Sequence, residues 1–131
     1  LRLMRDVIKI LRALNKEETI DLVWYGGVRS GTDAAKLIAM GCKAVVYSMP
    51  VALALGGTIT GSTLAFESNY TSQDRCDGVI NIMKAHAGEA SMMARCTGKT
   101  QLHNLEPEDL RSVTISTAND SGIPMPGTRD T

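Results

Sequence analysis

The chain has 131 residues, 44% of them hydrophobic and 21% charged, close to the composition of an ordinary folded domain. Fourteen basic residues balance fourteen acidic ones, and aromatics make up 4%. Neither a basic field for nucleic acid or an anionic membrane surface nor a stacking platform for single strands is therefore present.

The opening residues Leu1 to Leu14 predict an amphipathic helix, with Leu3, Val7, Leu11 and Leu14 on one face and Arg2, Arg5, Lys9, Arg12 and Lys16 largely off it. Ile20–Tyr25 is an apolar run of strand length, broken by Gly26-Gly27-Val28-Arg29-Ser30-Gly31. Thr32–Met40 predicts a helix capped by Ser30 or Thr32 and closed at Gly41. A second apolar run, Cys42–Tyr47, leads into a small-residue loop beginning Ser48-Met49-Pro50. The apolar stretch around 44–57 is interrupted by Ser48 and Pro50 and is too short for a membrane span. Residues 58–72, rich in Gly, Ser and Thr, predict an irregular loop or lid. Gln73–Cys96 predicts a long helix with Met83, Met92 and Met93 as core packing, and Asn104–Asn119 a last helix with Pro107 in its first turn. The tail from Ile123 to Thr131 is expected to be extended. The resulting division is 1–57, 58–72 and 73–131.

The segment 20–57 carries the functional signal. It predicts a βαβ unit whose two strand ends both bear loops suited to one phosphate. Glycines remove the Cβ atoms that would hold a ligand off and permit positive φ. A loop that opens into a helix adds unpaired N–H groups and the positive dipole end. Arg29 can add a charge-assisted contact to phosphate or to a flavin edge. The candidate binding residues are Gly26, Gly27, Val28, Arg29, Ser48 and Met49. The loops after the last two strands of a TIM barrel grip phosphate in this way. The expected fold class is therefore α/β: the C-terminal portion of a TIM (β/α)8 barrel with a helical extension. A complete barrel typically needs about 250 residues, so a fragment or a split subunit is expected, completed by the remainder of the barrel or by partner subunits.

Other candidates read as structural. Cys42, Cys76 and Cys96 match no zinc spacing and no disulfide framework, and a reducing cytoplasm is the expected setting. The acidic cluster Glu106, Glu108 and Asp109 is explained by helix capping rather than metal binding. His86 and His103 have no Cys, Asp or Ser partner at catalytic spacing and read as surface or capped histidines.

Gly26–Asp33 followed by Lys36–Val45 resembles the seventh and eighth strands of FMN-dependent barrel enzymes, a group that includes 2-hydroxy-acid oxidases, inosine-monophosphate-dehydrogenase-like enzymes and glutamate synthases. Met49–Gly56 resembles the segment after the last strand in the FMN-binding domain of glutamate synthases. Asp77–Asn81, the helix that follows and His103–Leu110 resemble the C-terminal tail of shorter glutamate-synthase-like proteins, among them the FMN-binding subunit of N-methylglutamate synthase. Three departures stand out. Tyr25 replaces an Asp common in the family, Ser48 replaces a frequent Gly, and Gly56–Asp77 holds only Cys76 where large members place three iron–sulfur cysteines.

The resemblance implies FMN as cofactor and reductive amination of 2-oxoglutarate to glutamate or N-methylglutamate, with ammonia or methylamine as amine source, in an oligomeric, multi-subunit flavoprotein. No catalytic acid or base is assigned, because the groups facing the flavin ring would lie on earlier strands. Another FMN barrel oxidoreductase, such as a 2-hydroxy-acid oxidase, and a non-catalytic interaction module are the alternatives.

Overall fold

The computed structural model describes residues 2–128. The fold is mixed α/β with few and short strands. Helix α1 (Arg2–Ala13) is followed by strand β1 (Val23–Tyr25), helix α2 (Gly31–Ala39), strand β2 (Ala44–Val46) and helix α3 (Met49–Ala54). A hairpin of β3 (Gly57–Thr60) and β4 (Thr63–Phe66) precedes the long helix α4 (Ser72–Cys96). Two 3₁₀ turns, Leu102–Asn104 and Pro107–Asp109, lead to helix α5 (Ile115–Ser121). Leu1 and residues 129–131, which belong to the expected first helix and tail, lie outside the described residues.

β1 and β2 pair in parallel, with Val23 opposite Ala44, Trp24 opposite Val45 and Tyr25 opposite Val46. The joining helix α2 is the centre of the fold. One face of it (Ala34, Leu37, Met40) packs with Met4, Val28 and Cys42, against Trp24 and Val45 from the strands. Its other face packs Ala35 and Ala39 against Ala90 and Ala94 of α4. Both alanine pairs are spaced i, i+4, so each lies on one helix face. Small side chains at the seam let the two helix backbones approach closely. Loss of the buried Leu37 side chain to Ala would cost about 2–5 kcal/mol at such a site.

Strand periodicity leaves the opposite face of the β1–β2 pair bare. Val23 is 59% exposed and Tyr25 73%, and Ala44 and Val46 are exposed beside them. Parallel strands this apolar are ordinarily covered on both faces, and within this chain only one face is. α1 shows the same half-coverage. Its buried edge is Met4, with Ile8 and Leu11 half-buried, while Leu3, Ile10 and Leu14 face outward. The expected inward stripe of Leu3, Val7, Leu11 and Leu14 is therefore rotated: the apolar arc is wider than one contact, and the body covers its other side.

Four further expectations are corrected. Residues 58–72 are not an irregular loop: 57–66 form an antiparallel hairpin turned at Gly61-Ser62, with Thr60 opposite Thr63. β-branched Thr58, Ile59 and Thr60 beside a glycine-led two-residue turn are the cause. The small-residue loop after β2 is instead α3, with Pro50 in its first turn, where a missing N–H costs nothing. Asn104–Asn119 is not one helix. The Asp109 carboxylate accepts from the Glu106 N–H while the Asp109 N–H donates to the Glu106 backbone carbonyl, closing a 3₁₀ turn, and Thr114 starts the separate helix α5 by accepting from the Thr117 N–H. α4 matches its expected span within one residue. Its Met83 and Met92 are exposed rather than in the core, while Met93 packs inward. No helix among the described residues is long and apolar enough to cross a membrane.

Candidate functional site

Because β1 and β2 run parallel, the loops after them leave at the same end of the pair. Gly26 and Gly27 turn the chain with φ of +95° and +69°, a region that costs an L-residue with a Cβ about 1–2 kcal/mol. The indole of Trp24 donates to the Gly26 carbonyl at 2.8 Å, which fixes the first half of the turn. A Cβ built on Gly26 or Gly27 would meet no protein atom within 4 Å. The loop surface there is open. Val28 then buries its side chain in the core, 3% exposed, leaving only its backbone to the loop. Arg29 points out and pairs with Asp33 at 3.2 Å, one helical turn along.

On the second loop, Ser48 is the residue before α3 and its hydroxyl makes no cap bond. Ser48 and Met49 are both exposed. Tyr47, just before them, reaches across and donates its hydroxyl to the Ser30 carbonyl at 3.2 Å. This bond ties the two loops directly. Burial, followed by the nearby Glu89 and Asp33 carboxylates, pushes the Tyr47 hydroxyl above its ordinary pKa, so it stays a donor.

The α2 N-terminus differs from its sequence reading. Its N–H groups were expected to be free for a ligand, yet they have internal partners. Ser30, one of the two expected caps, accepts from Asp33 N–H. Glu89 of α4 accepts from Gly31 N–H at 2.8 Å and from the Thr32 hydroxyl. The Thr32 hydroxyl bond is the main reason the Glu89 carboxyl is held below the usual carboxylate range. This fit requires glycine at position 31, since a Cβ there would run into the His86 carbonyl and lie 2.7 Å from Ala90 N. His86 is likewise not a surface histidine. It is 7% exposed, its ring sits 4.7 Å from that of Tyr47, and its Nδ1 has no hydrogen-bond partner.

The six sequence-assigned residues thus lie on the two loops that the strands bring to one end. Glu89, His86 and Tyr47 were missed. No local motif marks Glu89, because its partners are 57 and 58 residues away in sequence. His103 lies elsewhere, with Nε2 3.0 Å from the Lys43 carbonyl. Glu106 and Asp109 pair with Lys99. Cys42 is buried, and burial raises its thiol pKa, whereas Cys76 and Cys96 are exposed near the two ends of α4.

No family model matches the chain. Over an alignment of 154 positions that takes in 95% of it, the chain is 32% identical to a glutamate synthase large subunit-like protein of Rhizobium meliloti (strain 1021). A more distant similarity, 29% over 112 positions and 84% of the chain, is to an L-lactate dehydrogenase (cytochrome) of Wickerhamomyces anomalus. The chain spans 35% of the length of the first relative and 17% of the second. These similarities support the glutamate-synthase side of the sequence resemblance and an oxidoreductase affinity.

Proposed function

We propose that the chain is part of an FMN-dependent, glutamate-synthase-type oxidoreductase and supplies the phosphate end of its flavin site. The observation that carries this reading is the pair of loops at one end of the parallel strands, with an open, positive-φ Gly26–Gly27 turn on one and an uncapped Ser48 on the other. The donor set fits a phosphate. Among the described residues, no turn, loop or side-chain group accepts from Gly27 or Val28 N–H. The Arg29 side chain is 84% exposed and can exchange Asp33 for an anion.

In this reading Gly26, Gly27, Val28, Ser48 and Met49 hold the phosphate through backbone N–H groups and the Ser48 hydroxyl, while Arg29 adds charge. Bound FMN supplies hydride chemistry for reductive amination of 2-oxoglutarate to glutamate or N-methylglutamate, with ammonia or methylamine as the amine source. In this reading the chain's residues bind and orient the cofactor. The bare apolar faces of β1–β2 and α1 fit completion of a barrel by further strands and helices, from the same polypeptide or from partner subunits. The barrel, the multi-subunit assembly and a cytoplasmic setting belong to the same proposal.

The similarity to an L-lactate dehydrogenase (cytochrome) favours a second reading, oxidation of a 2-hydroxy acid on the same type of flavin site. Assaying the assembled protein with 2-oxoglutarate plus ammonia or methylamine, and separately with a 2-hydroxy acid, decides between them. Reductive amination supports the first reading. Turnover of the hydroxy acid alone overturns it.

A further inference from the structure

One turn of α4 touches both loops of the proposed anion seat, and nothing in the sequence resemblance assigns it a role. Glu89 holds the first loop where it enters α2, through Gly31 N–H and the Thr32 hydroxyl. His86, three residues earlier and so on the same helix face, lies against Tyr47 at the start of the second loop. Tyr47 closes the circuit through the Ser30 carbonyl. Gly31 lets the α4 backbone come this close.

We infer that Glu89 and His86 are positioning residues, a template on α4 that sets the spacing and orientation of the Gly27 and Met49 N–H groups without touching the ligand themselves. The chemistry favours this over a general packing role. A packing contact needs only apolar surface, which α2 and α4 already share through Ala35, Ala39, Ala90 and Ala94. A carboxylate that accepts two donors has a fixed geometry and no tolerance for sliding. It also fills the anion position at the α2 N-terminus, so an external phosphate is directed to the Gly27 and Met49 side of the loops. This inference rests on reading those loops as the phosphate seat.

The test compares Glu89→Ala and Glu89→Gln with Ala94→Gly, which loosens the same helix pair at its far end. Two readouts are taken on the assembled protein: amide chemical shifts of Gly27 and Met49 by isotope-labelled NMR, and the dissociation constant for FMN. Expected is a graded series. Glu89→Ala moves both amides and weakens FMN about tenfold, the order seen when groups that orient binding residues are removed. Glu89→Gln, which keeps one acceptor oxygen, falls between it and the parent protein. Ala94→Gly lowers the melting temperature but leaves the two amides and FMN affinity in place. Unmoved amides in the Glu89 variants, or equal movement in Ala94→Gly, would overturn the inference. If Glu89→Ala does not fold, Glu89→Gln against Ala94→Gly decides in the same way. If the parent protein takes up no FMN, the flavin reading fails, whereas the amide shifts still decide whether α4 positions the loops.

Discussion

Two glycine-to-alanine substitutions, at positions 31 and 88, should have opposite signs, and the pair tests how α4 is held. A Cβ on Gly31 would lie 2.7 Å from Ala90 N and 2.8 Å from Glu89 Cβ, as well as against the His86 carbonyl. Two of these are backbone atoms of a 25-residue helix, so no side chain can rotate aside. Gly31 is not in the left-handed region, so the cost is contact and not backbone strain. Forcing a methyl into a packed interface costs about 1–3 kcal/mol, partly offset by up to about 1 kcal/mol of helix preference for alanine. The net for Gly31→Ala is a loss of about 1–2 kcal/mol. Gly88 sits mid-helix with no atom within 4 Å of its built Cβ. There only the preference acts, and Gly88→Ala should gain about 0.5–1 kcal/mol. Chemical denaturation of the assembled protein, with hydrogen exchange at the α2 and α4 amides, measures both. Gly31→Ala should also speed exchange at its own amide, since displacing α4 takes Glu89 with it. Equal signs, or a Gly31→Ala protein as stable as the parent, would refute the close approach of α4 to α2.

Two other outcomes are expected. The Thr71 hydroxyl and N–H bonded to Asp74 hold its carboxyl below the ordinary carboxylate range at the start of α4. A lowered folded pKa gives stability that is present above the unfolded value of about 3.9 and lost as pH falls through the folded one; the melting deficit of Asp74→Asn should be full at neutral pH and vanish in strong acid, and a pH-independent deficit would contradict it. The bare faces of Val23, Tyr25 and Val46 on the sheet and of Leu3 and Ile10 on α1, with Leu14 just after it, predict that the isolated 131-residue chain self-associates and binds a hydrophobic dye; a monomer by analytical ultracentrifugation with a cooperative melt would count against the need for further cover.

Local chemistry was legible in the sequence where it was punctuated. Strand length, the Gly26–Gly27 break and the alanine-rich helix that follows fixed β1, α2 and β2 to within a few residues, because each element is bounded by its own turn or cap. The hairpin was missed because alternation over only four residues per strand is weak beside so much Gly, Ser and Thr. The last helix was overextended because charged residues around Pro107 resemble a helix start, and only the structure shows that they close a single 3₁₀ turn. The candidate loop residues could be read locally. Their supports could not: Glu89 with Gly31 and Thr32, and His86 with Tyr47, are contacts between segments far apart in sequence, and neither residue carries a pattern that announces a distant partner.

We propose that the loops at 26–29 and 48–49 grip the phosphate of FMN. Comparing FMN with riboflavin on the assembled protein, by equilibrium titration of the flavin absorbance, tests it most directly, because the two ligands differ only in that phosphate. FMN should bind at least about a hundredfold tighter, as several hydrogen bonds to a charged group of about 1.5–3 kcal/mol each would give. Gly27→Val, whose branched side chain enters the open loop space at positive φ, should remove most of that difference, while Lys16→Ala on the outer surface should keep it. Equal affinity for FMN and riboflavin, or a Gly27→Val protein that retains full preference for FMN, would place the phosphate grip elsewhere.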